Sequence, residues 1–258
     1  MVDALTKSGS ATILFNNVKP EICWFDVEKL DSFKELKHVD GIIVPQGWGS
    51  RGVDGKLKVV EFARTHKIPY LGLCFGMQMA VIEYARNVLK LKKANSEEVD
   101  PQTPYPVIHI MPNQKEYLAK NQFGGTIRLG AWPCLVKLGS ALEQAYSEHA
   151  PERINKLTIM ERHRHRYEVN NAFREQLEAS GLIISGTSPD GRLVEAVELS
   201  RKEHPFFVGT QFHPEYKSSP LHPHPLFIEF VKTCALTKVN LKLPKLMTVP
   251  SRLKRKSD

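Results

Sequence analysis

Pro69-Tyr70-Leu71-Gly72-Leu73-Cys74-Phe75-Gly76-Met77-Gln78 decides how the rest of this 258-residue chain is read. A short apolar run leads into a cysteine bracketed by Gly72 and Gly76. Met77, Ala80, Val81, Tyr84 and Val88 follow at helical spacing, so a strand passes into a helix with no linker. A glycine on each side lets Cys74 occupy a sharp strand-to-helix turn with its side chain above the sheet. The start of the helix adds the positive end of its dipole and free N–H groups, which favour a thiolate. A buried structural cysteine would fit the same stretch, so the remaining chain must decide between the two.

Just upstream, residues 40–45 (DGIIVP) form a continuous apolar run, the pattern of a parallel strand covered on both faces. It ends in the glycine-rich loop Gln46-Gly47-Trp48-Gly49-Ser50-Arg51-Gly52, and a helix is expected over residues 56–66. Strand, loop and helix, twice over, predict an α/β fold with a mostly parallel sheet flanked by helices. Both loops then lie at the carboxyl ends of their strands, where open α/β sheets place ligands. Further upstream, residues 1–7 read as the end of a helix, 11–17 as strand-like and 21–27 as a strand. Residues 31–37 read as a short helix with Asp31 as N-cap.

Downstream the pattern turns antiparallel. Strands are expected over residues 107–111, 126–129, 134–138 and 157–169, with short helices over 140–147 and 172–179. Strands 183–187 and 193–199 flank the turn Ser188-Pro189-Asp190-Gly191. A strongly apolar strand follows over 206–212, then a last helix over 225–235. The domain is therefore read as residues 1–236, with a basic disordered tail over 237–258.

Composition narrows the function class. The net charge is +8, but residues 237–258 carry +6 of it, leaving +2 for the rest of the chain. No basic face with interleaved aromatics marks the body, so nucleic-acid binding is not expected. The four cysteines, Cys23, Cys74, Cys134 and Cys234, are far apart with no paired spacing, and no signal peptide precedes them. That reads as a reducing, cytoplasmic setting without a zinc site. No apolar run is long enough to span a bilayer, so no membrane role is expected.

The second chemical constellation is Thr210-Gln211-Phe212-His213-Pro214-Glu215. An apolar strand delivers His213 at its carboxyl end, and Glu215, two residues on, can lie on the same side of an extended segment. A carboxylate there accepts a proton from one ring nitrogen, fixing the tautomer and leaving the other nitrogen for proton transfer. With a cysteine on an elbow elsewhere, a Cys74–His213–Glu215 triad is the economical reading.

The segments Gly72–Gln78 and Gln211–Glu215 together resemble the class I, triad-type glutamine amidotransferase family, a flavodoxin-like fold. Within it, the chain is similar to the glutaminase domains of CTP synthases. That narrower similarity rests on Ala94-Asn95-Ser96-Glu97-Glu98, on Gly124-Gly125-Thr126-Ile127-Arg128-Leu129-Gly130, and on the segment from Glu161 to Asn170. His204-Pro205-Phe206-Phe207 and His224-Pro225-Leu226-Phe227 add to it.

The resemblance implies that Cys74 attacks the glutamine amide, that His213 is base and then acid, and that Glu215 orients it. It places Gly47 and Phe75 at the oxyanion, Gln78 and Glu98 at the amino-acid end of the substrate, and Arg166 at its α-carboxylate. A planar guanidinium suits a bidentate carboxylate clamp better than lysine does. Strand alternation over residues 162–167 is expected to put Arg162, Arg164 and Arg166 on one face and His163, His165 and Tyr167 on the other. Zinc binding by His163 and His165 would then need further ligands nearby.

No cofactor is implied for this chain, and ATP, UTP, Mg and GTP are implied only for a complete CTP synthase. The implied partners are L-glutamine and a synthetase domain on another chain or a missing segment, and a homo-oligomer is compatible with the resemblance. Two other readings stand beside glutaminase activity: a catalytically weak regulatory or interaction remnant, and hydrolysis of other γ-glutamyl compounds.

Two departures from the family pattern are visible. Gln46 stands where a glycine is usual, and a positive φ there would cost a residue with a Cβ about 1–2 kcal/mol. The family's first strand and the synthetase domain before it read as missing from this sequence, and Ile13-Leu14-Phe15-Asn16 reads as an insertion. CTP synthesis by this chain alone is not expected, since no phosphate-cradling lysine loop is present.

Overall fold

A computed structural model describes residues 18, 20–29, 33–111 and 127–242. The elbow stretch forms β2 (Tyr70–Leu73) and α2 (Phe75–Asn87), preceded by β1 (Ile42–Val44) and α1 (Val53–His66). Strands β3 (Ala94–Ser96), β4 (Tyr105–Ile110) and β5 (Arg128–Val136) follow, then α3 (Ala141–His149). The remaining elements are β6 (Ile154–Asn155), β7 (Thr158–His165), β8 (Tyr167–Val169), α4 (Arg174–Ala179), β9 (Ile183–Thr187), β10 (Val194–Glu198), β11 (Phe207–Thr210) and α5 (Pro225–Lys242).

The main sheet has eight strands in the order β1-β2-β11-β10-β9-β5-β7-β6, and β3-β4-β8 form a second sheet. The α/β class stands, as a mixed sheet. In its described residues the parallel pairings are confined to β1-β2 and β2-β11, and every pairing from β11 to β6 is antiparallel. Alternation along β2 divides the core. Tyr70 joins the apolar cluster of α1 and α2, while Leu71 and Leu73 join the cluster of α3 and α5 on the opposite face.

Several buried polar groups have a local answer. Arg64 of α1 grips Glu83 of α2 in a two-pronged pair at 2.7–3.1 Å, tying the two helices together. Glu198, buried on β10, accepts the backbone N–H groups of Ala141 and Leu142 at 2.8 and 3.2 Å and so caps α3 with a negative charge. Ser140, the N-cap of α3, accepts from the Glu143 N–H at 3.0 Å.

Several sequence expectations are corrected. Residues 21–27 form no strand: Phe25 and Val27 pack on the core without backbone pairing. The chain there crosses the start of α1 so closely that a Cβ on Gly55 would lie 2.5 Å from the Val27 carbonyl oxygen. The short helix before β1 is a 3-10 turn over Glu35–His38 that begins after Lys34, and Asp31 lies outside the described residues. The separate strands expected over 126–129 and 134–138 are one strand, β5. It tolerates Pro133 because the β9 side of β5 is paired only at Leu135 and Val136. Strand β3 carries only three residues and no periodicity to announce it. The last helix continues to Lys242, into the stretch read as tail. Residues 1–17, where a helix end, a strand-like stretch and the insertion were read, and 243–258 lie outside the described residues.

His204, in the turn before β11, is satisfied only as a neutral ring. Its Nε2 faces the Ala63 carbonyl at 3.1 Å, and its Nδ1 accepts from the Phe206 N–H at 3.3 Å. Burial pushes its pKa down to about 4, and burial also pushes His165 down to about 3. Both folded values lie below the unfolded value near 6.5, so the unfolded chain takes up protons first as pH falls. Stability is therefore expected to decline from about pH 6.5 toward pH 4, with at most about 3 kcal/mol from His204. Glu195 and Glu229, both held at about 2, add their loss only below about pH 4.5. Thermal melts between pH 4.5 and 6.5 should show this slope and a shallower one in His204→Gln. An identical slope in the variant would refute the assignment.

Candidate active site

The elbow exists because two glycines remove side chains that could not fit. A Cβ on Gly76 would lie 2.1 Å from the Val44 carbonyl oxygen, and one on Gly72 would lie 2.7 Å from the Gly76 carbonyl carbon. Tyr70 Oη, inside the turn, donates to the Gly76 carbonyl at 2.9 Å. Cys74 itself takes φ 52 and ψ −97, a backbone region costly for any residue with a Cβ. Its N–H is held by the Thr210 carbonyl at 2.6 Å, so the elbow is tied to the end of the strand that delivers His213.

Past Thr210 the chain turns and Pro214 opens a 3-10 turn over Pro214–Lys217. His213 Nδ1 and Glu215 Oε1 are 2.7 Å apart, both groups nearly buried, and the ring stacks on Tyr216 at 5.0 Å. The ionised carboxylate can only accept, so Nδ1 carries the hydrogen and Nε2 presents its lone pair. Nε2 is buried with no hydrogen-bond partner among the described residues. The His213 N–H reaches the Arg162 carbonyl at 2.8 Å, which fixes this loop to β7. Burial pushes the Cys74 thiol up to about 12 and the charge of Glu215 adds to it, while the Phe75 N–H and Gln211 pull it down.

The glycine-rich loop lies over the elbow, with Gly47 against the Phe75 ring: a Cβ there would approach the ring to 3.5 Å. Gly49 donates its N–H to Glu98 Oε1 at 2.8 Å. Burial raises the pKa of Glu98, and the Gly49 bond and the charge of Arg166 oppose that rise. Gln46 is absent from the residues with positive φ. The strain foreseen at Gln46 does not arise.

Alternation along β7 holds from Ile159 to His165 and then fails. Arg162 and Arg164 are exposed, whereas Arg166 is buried. It sits in the bend between β7 and β8, where the chain leaves the main sheet for the second one, so it does not share a face with the other two arginines.

Gln78, on the first turn of α2, donates through Nε2 to the Tyr167 carbonyl at 3.1 Å and to Gln211 Oε1 at 3.2 Å. Gln211 in turn donates to Cys74 Sγ at 3.4 Å. The sequence reading assigned Gln211 no role, although it lies two residues before His213.

His163 and His165 do have a third group nearby, Glu195, with ligand atoms within 4.8 Å of one another. Arg128 fills that cluster, its guanidinium 2.7 Å from Glu195 and 3.2 Å from His165 Nε2. A fixed cation there opposes a metal ion, and the cluster reads as a structural network beneath the site. His224 is likewise structural, packed between Tyr146 and Glu161 at 3.0 and 3.4 Å.

The profile of the glutamine amidotransferase class-I family matches residues 2–233. A CTP synthase of Caldanaerobacter subterraneus subsp. tengcongensis is 51% identical over 243 residues, which is 93% of this chain and 42% of that protein. A CTP synthase of Carboxydothermus hydrogenoformans is 52% identical over 90% of this chain and 41% of its own length. The chain thus spans about two fifths of these relatives. The glutaminase domain of Trypanosoma brucei CTPS, solved with bound acivicin, superposes with a TM-score of 0.76 at 37% identity, covering 90% of this chain and 86% of that one. A putative GMP synthase protein of Thermoplasma acidophilum shares the fold alone, at 16% identity and a TM-score of 0.55, covering 92% of this chain and 91% of that one. The chain belongs to the class I glutamine amidotransferase family and is homologous to the glutaminase domain of CTP synthase.

Proposed function

We propose that this chain hydrolyses L-glutamine to glutamate and ammonia through a thioester on Cys74, with the ammonia feeding amination of UTP to CTP in a synthetase domain. The observation that carries the reading is the His213–Glu215 pair at 2.7 Å, with Nε2 unpartnered, anchored beside the strained Cys74 elbow.

In the proposed cycle His213 Nε2 takes the Cys74 proton as Sγ attacks the side-chain carbonyl carbon of glutamine. Because burial pushes the free thiol up to about 12, Cys74 needs a base to lose its proton for attack. The developing oxyanion is received by the Phe75 N–H and by N–H groups of the Gly47 loop, where one such donor is worth about 10²–10³ in rate. His213 then gives its proton to the amide nitrogen, the C–N bond breaks and ammonia leaves. A water deprotonated by Nε2 attacks the thioester, releasing glutamate and restoring the thiol. Glu215 holds the ring in the productive tautomer throughout.

Gln78 and Glu98 are proposed to hold the amino end of the substrate and Arg166 its α-carboxylate. The field of Arg166 at Glu98 supports placing opposite charges side by side for a zwitterionic ligand. No cofactor is proposed for this step, and ATP, UTP, Mg and GTP are assigned to the complete enzyme. A cytoplasmic setting is proposed with it; no helix among the described residues is long and apolar enough to cross a membrane.

Purified chain incubated with glutamine is expected to release glutamate, and Cys74→Ala to reduce release at least 10³-fold. Release equal to the Cys74→Ala background from folded protein would refute hydrolysis. Arg166→Lys is expected to raise KM for glutamine about ten-fold or more with a smaller effect on kcat, because an ammonium loses the bidentate geometry. An unchanged KM would remove Arg166 from the substrate site. Gln46→Gly is expected to change kcat/KM less than about three-fold, since Gln46 needs no positive φ. A ten-fold rise would show that the glutamine impairs the oxyanion loop.

A further inference from the structure

Gln211 lies wholly inside the protein, and its side-chain amide is held at both ends. Its Nε2 donates to Cys74 Sγ at 3.4 Å, and its Oε1 accepts from Gln78 Nε2 at 3.2 Å. Gln78 Nε2 spends its other hydrogen on the Tyr167 carbonyl at 3.1 Å. The backbone of Gln211 is also fixed, its N–H reaching the Glu195 carbonyl at 2.8 Å. These bonds give the two amides a single polarity. Turning the Gln211 amide over would set its oxygen against the sulphur and its NH₂ against the NH₂ of Gln78.

We propose that Gln211 is a positioning residue of the glutaminase site, with its amide N–H fixing Cys74 Sγ and stabilising the thiolate, and Gln78 holding that amide in register. The need follows from the charges around the sulphur. Glu215 and Glu98 both act on Cys74 so as to oppose ionisation. His213, the base, is committed to Glu215 through Nδ1. The Phe75 N–H and the Gln211 amide both favour negative sulphur. The same relay leaves Gln78 Oε1 buried, without a partner among the described residues and presented as an acceptor. On the proposed glutaminase reading, on which this part rests, an amino group of the substrate bound by Gln78 is one amide away from the nucleophile.

The test is Gln211→Met, which keeps the side-chain length without a donor. Alkylation of Cys74 by iodoacetamide, read on the Cys74 peptide by mass spectrometry without glutamine, should slow about ten-fold across pH 7–10. Glutaminase kcat should fall about ten-fold with KM within about three-fold, and the melting temperature should stay within a few degrees. Gln78→Met, which removes the orienting partner, should slow alkylation in the same direction by a smaller factor, and it decides the matter if Gln211→Met does not fold. An alkylation profile of folded Gln211→Met that overlays the parent's, or a raised KM with unchanged kcat, would overturn the proposal. The alkylation measurement requires no turnover, so a parent chain that releases no glutamate refutes hydrolysis without deciding the role of Gln211.

Discussion

The contact on which the molecule depends is between backbone and backbone: the Val44 carbonyl of β1 presses on Gly76 at the start of α2, a space no Cβ could share. Close approach of a strand to the first turn of the next helix forces the intervening residue into a tight turn, and Cys74 absorbs it at φ 52. Such a conformation costs on the order of 1–3 kcal/mol and persists only when its surroundings leave no alternative. Here they are the Tyr70 hydroxyl on the Gly76 carbonyl and the Thr210 carbonyl on the Cys74 N–H. The strain at the sulphur-bearing residue is held by the parallel core of the sheet.

Around that point several buried charges are held in pairs. Glu195 lies between Arg128 and His163, Glu83 lies under Arg64, and Glu198 caps a helix. A buried charge that lost its partner would cost several kcal/mol, so these networks behave as units. They also connect the site to the scaffold: Glu195 offers its backbone carbonyl to Gln211, and Arg162 offers its own to His213.

What could be read from sequence followed where local rules are strong. Continuous apolar runs, a glycine bracket and helical spacing marked β1, β2, α1 and α2, because both burial and turn geometry there are local properties. The short helix starting near Ser140 and the turn at Ser188–Gly191 were legible for the same reason. The segment from Glu21 to Val27 misled because its apolar residues pack on the core without a ladder, a distinction that composition does not carry. Arg166 misled because alternation describes a strand only while it remains in one sheet, and the crossing at that residue is a tertiary event. Gln211 was missed because its significance lies in which atoms its amide meets, 137 residues away in sequence at Cys74. The worry over Gln46 came from a family habit of glycine, and the backbone there does not require one.

The crossing at Arg166 has a mechanical consequence. The nucleophile is fixed to the main sheet, whereas Arg166 sits in the bend where the chain passes into the three-stranded sheet. The distance between them is therefore a gauge of how the two sheets are docked, and a slip between layers would change the span offered to a ligand by the same amount. For a site proposed to grip one end of an amino acid and react at the other, the docking of two sheets acts as a ruler for side-chain length. One methylene more or less is a fixed increment along it.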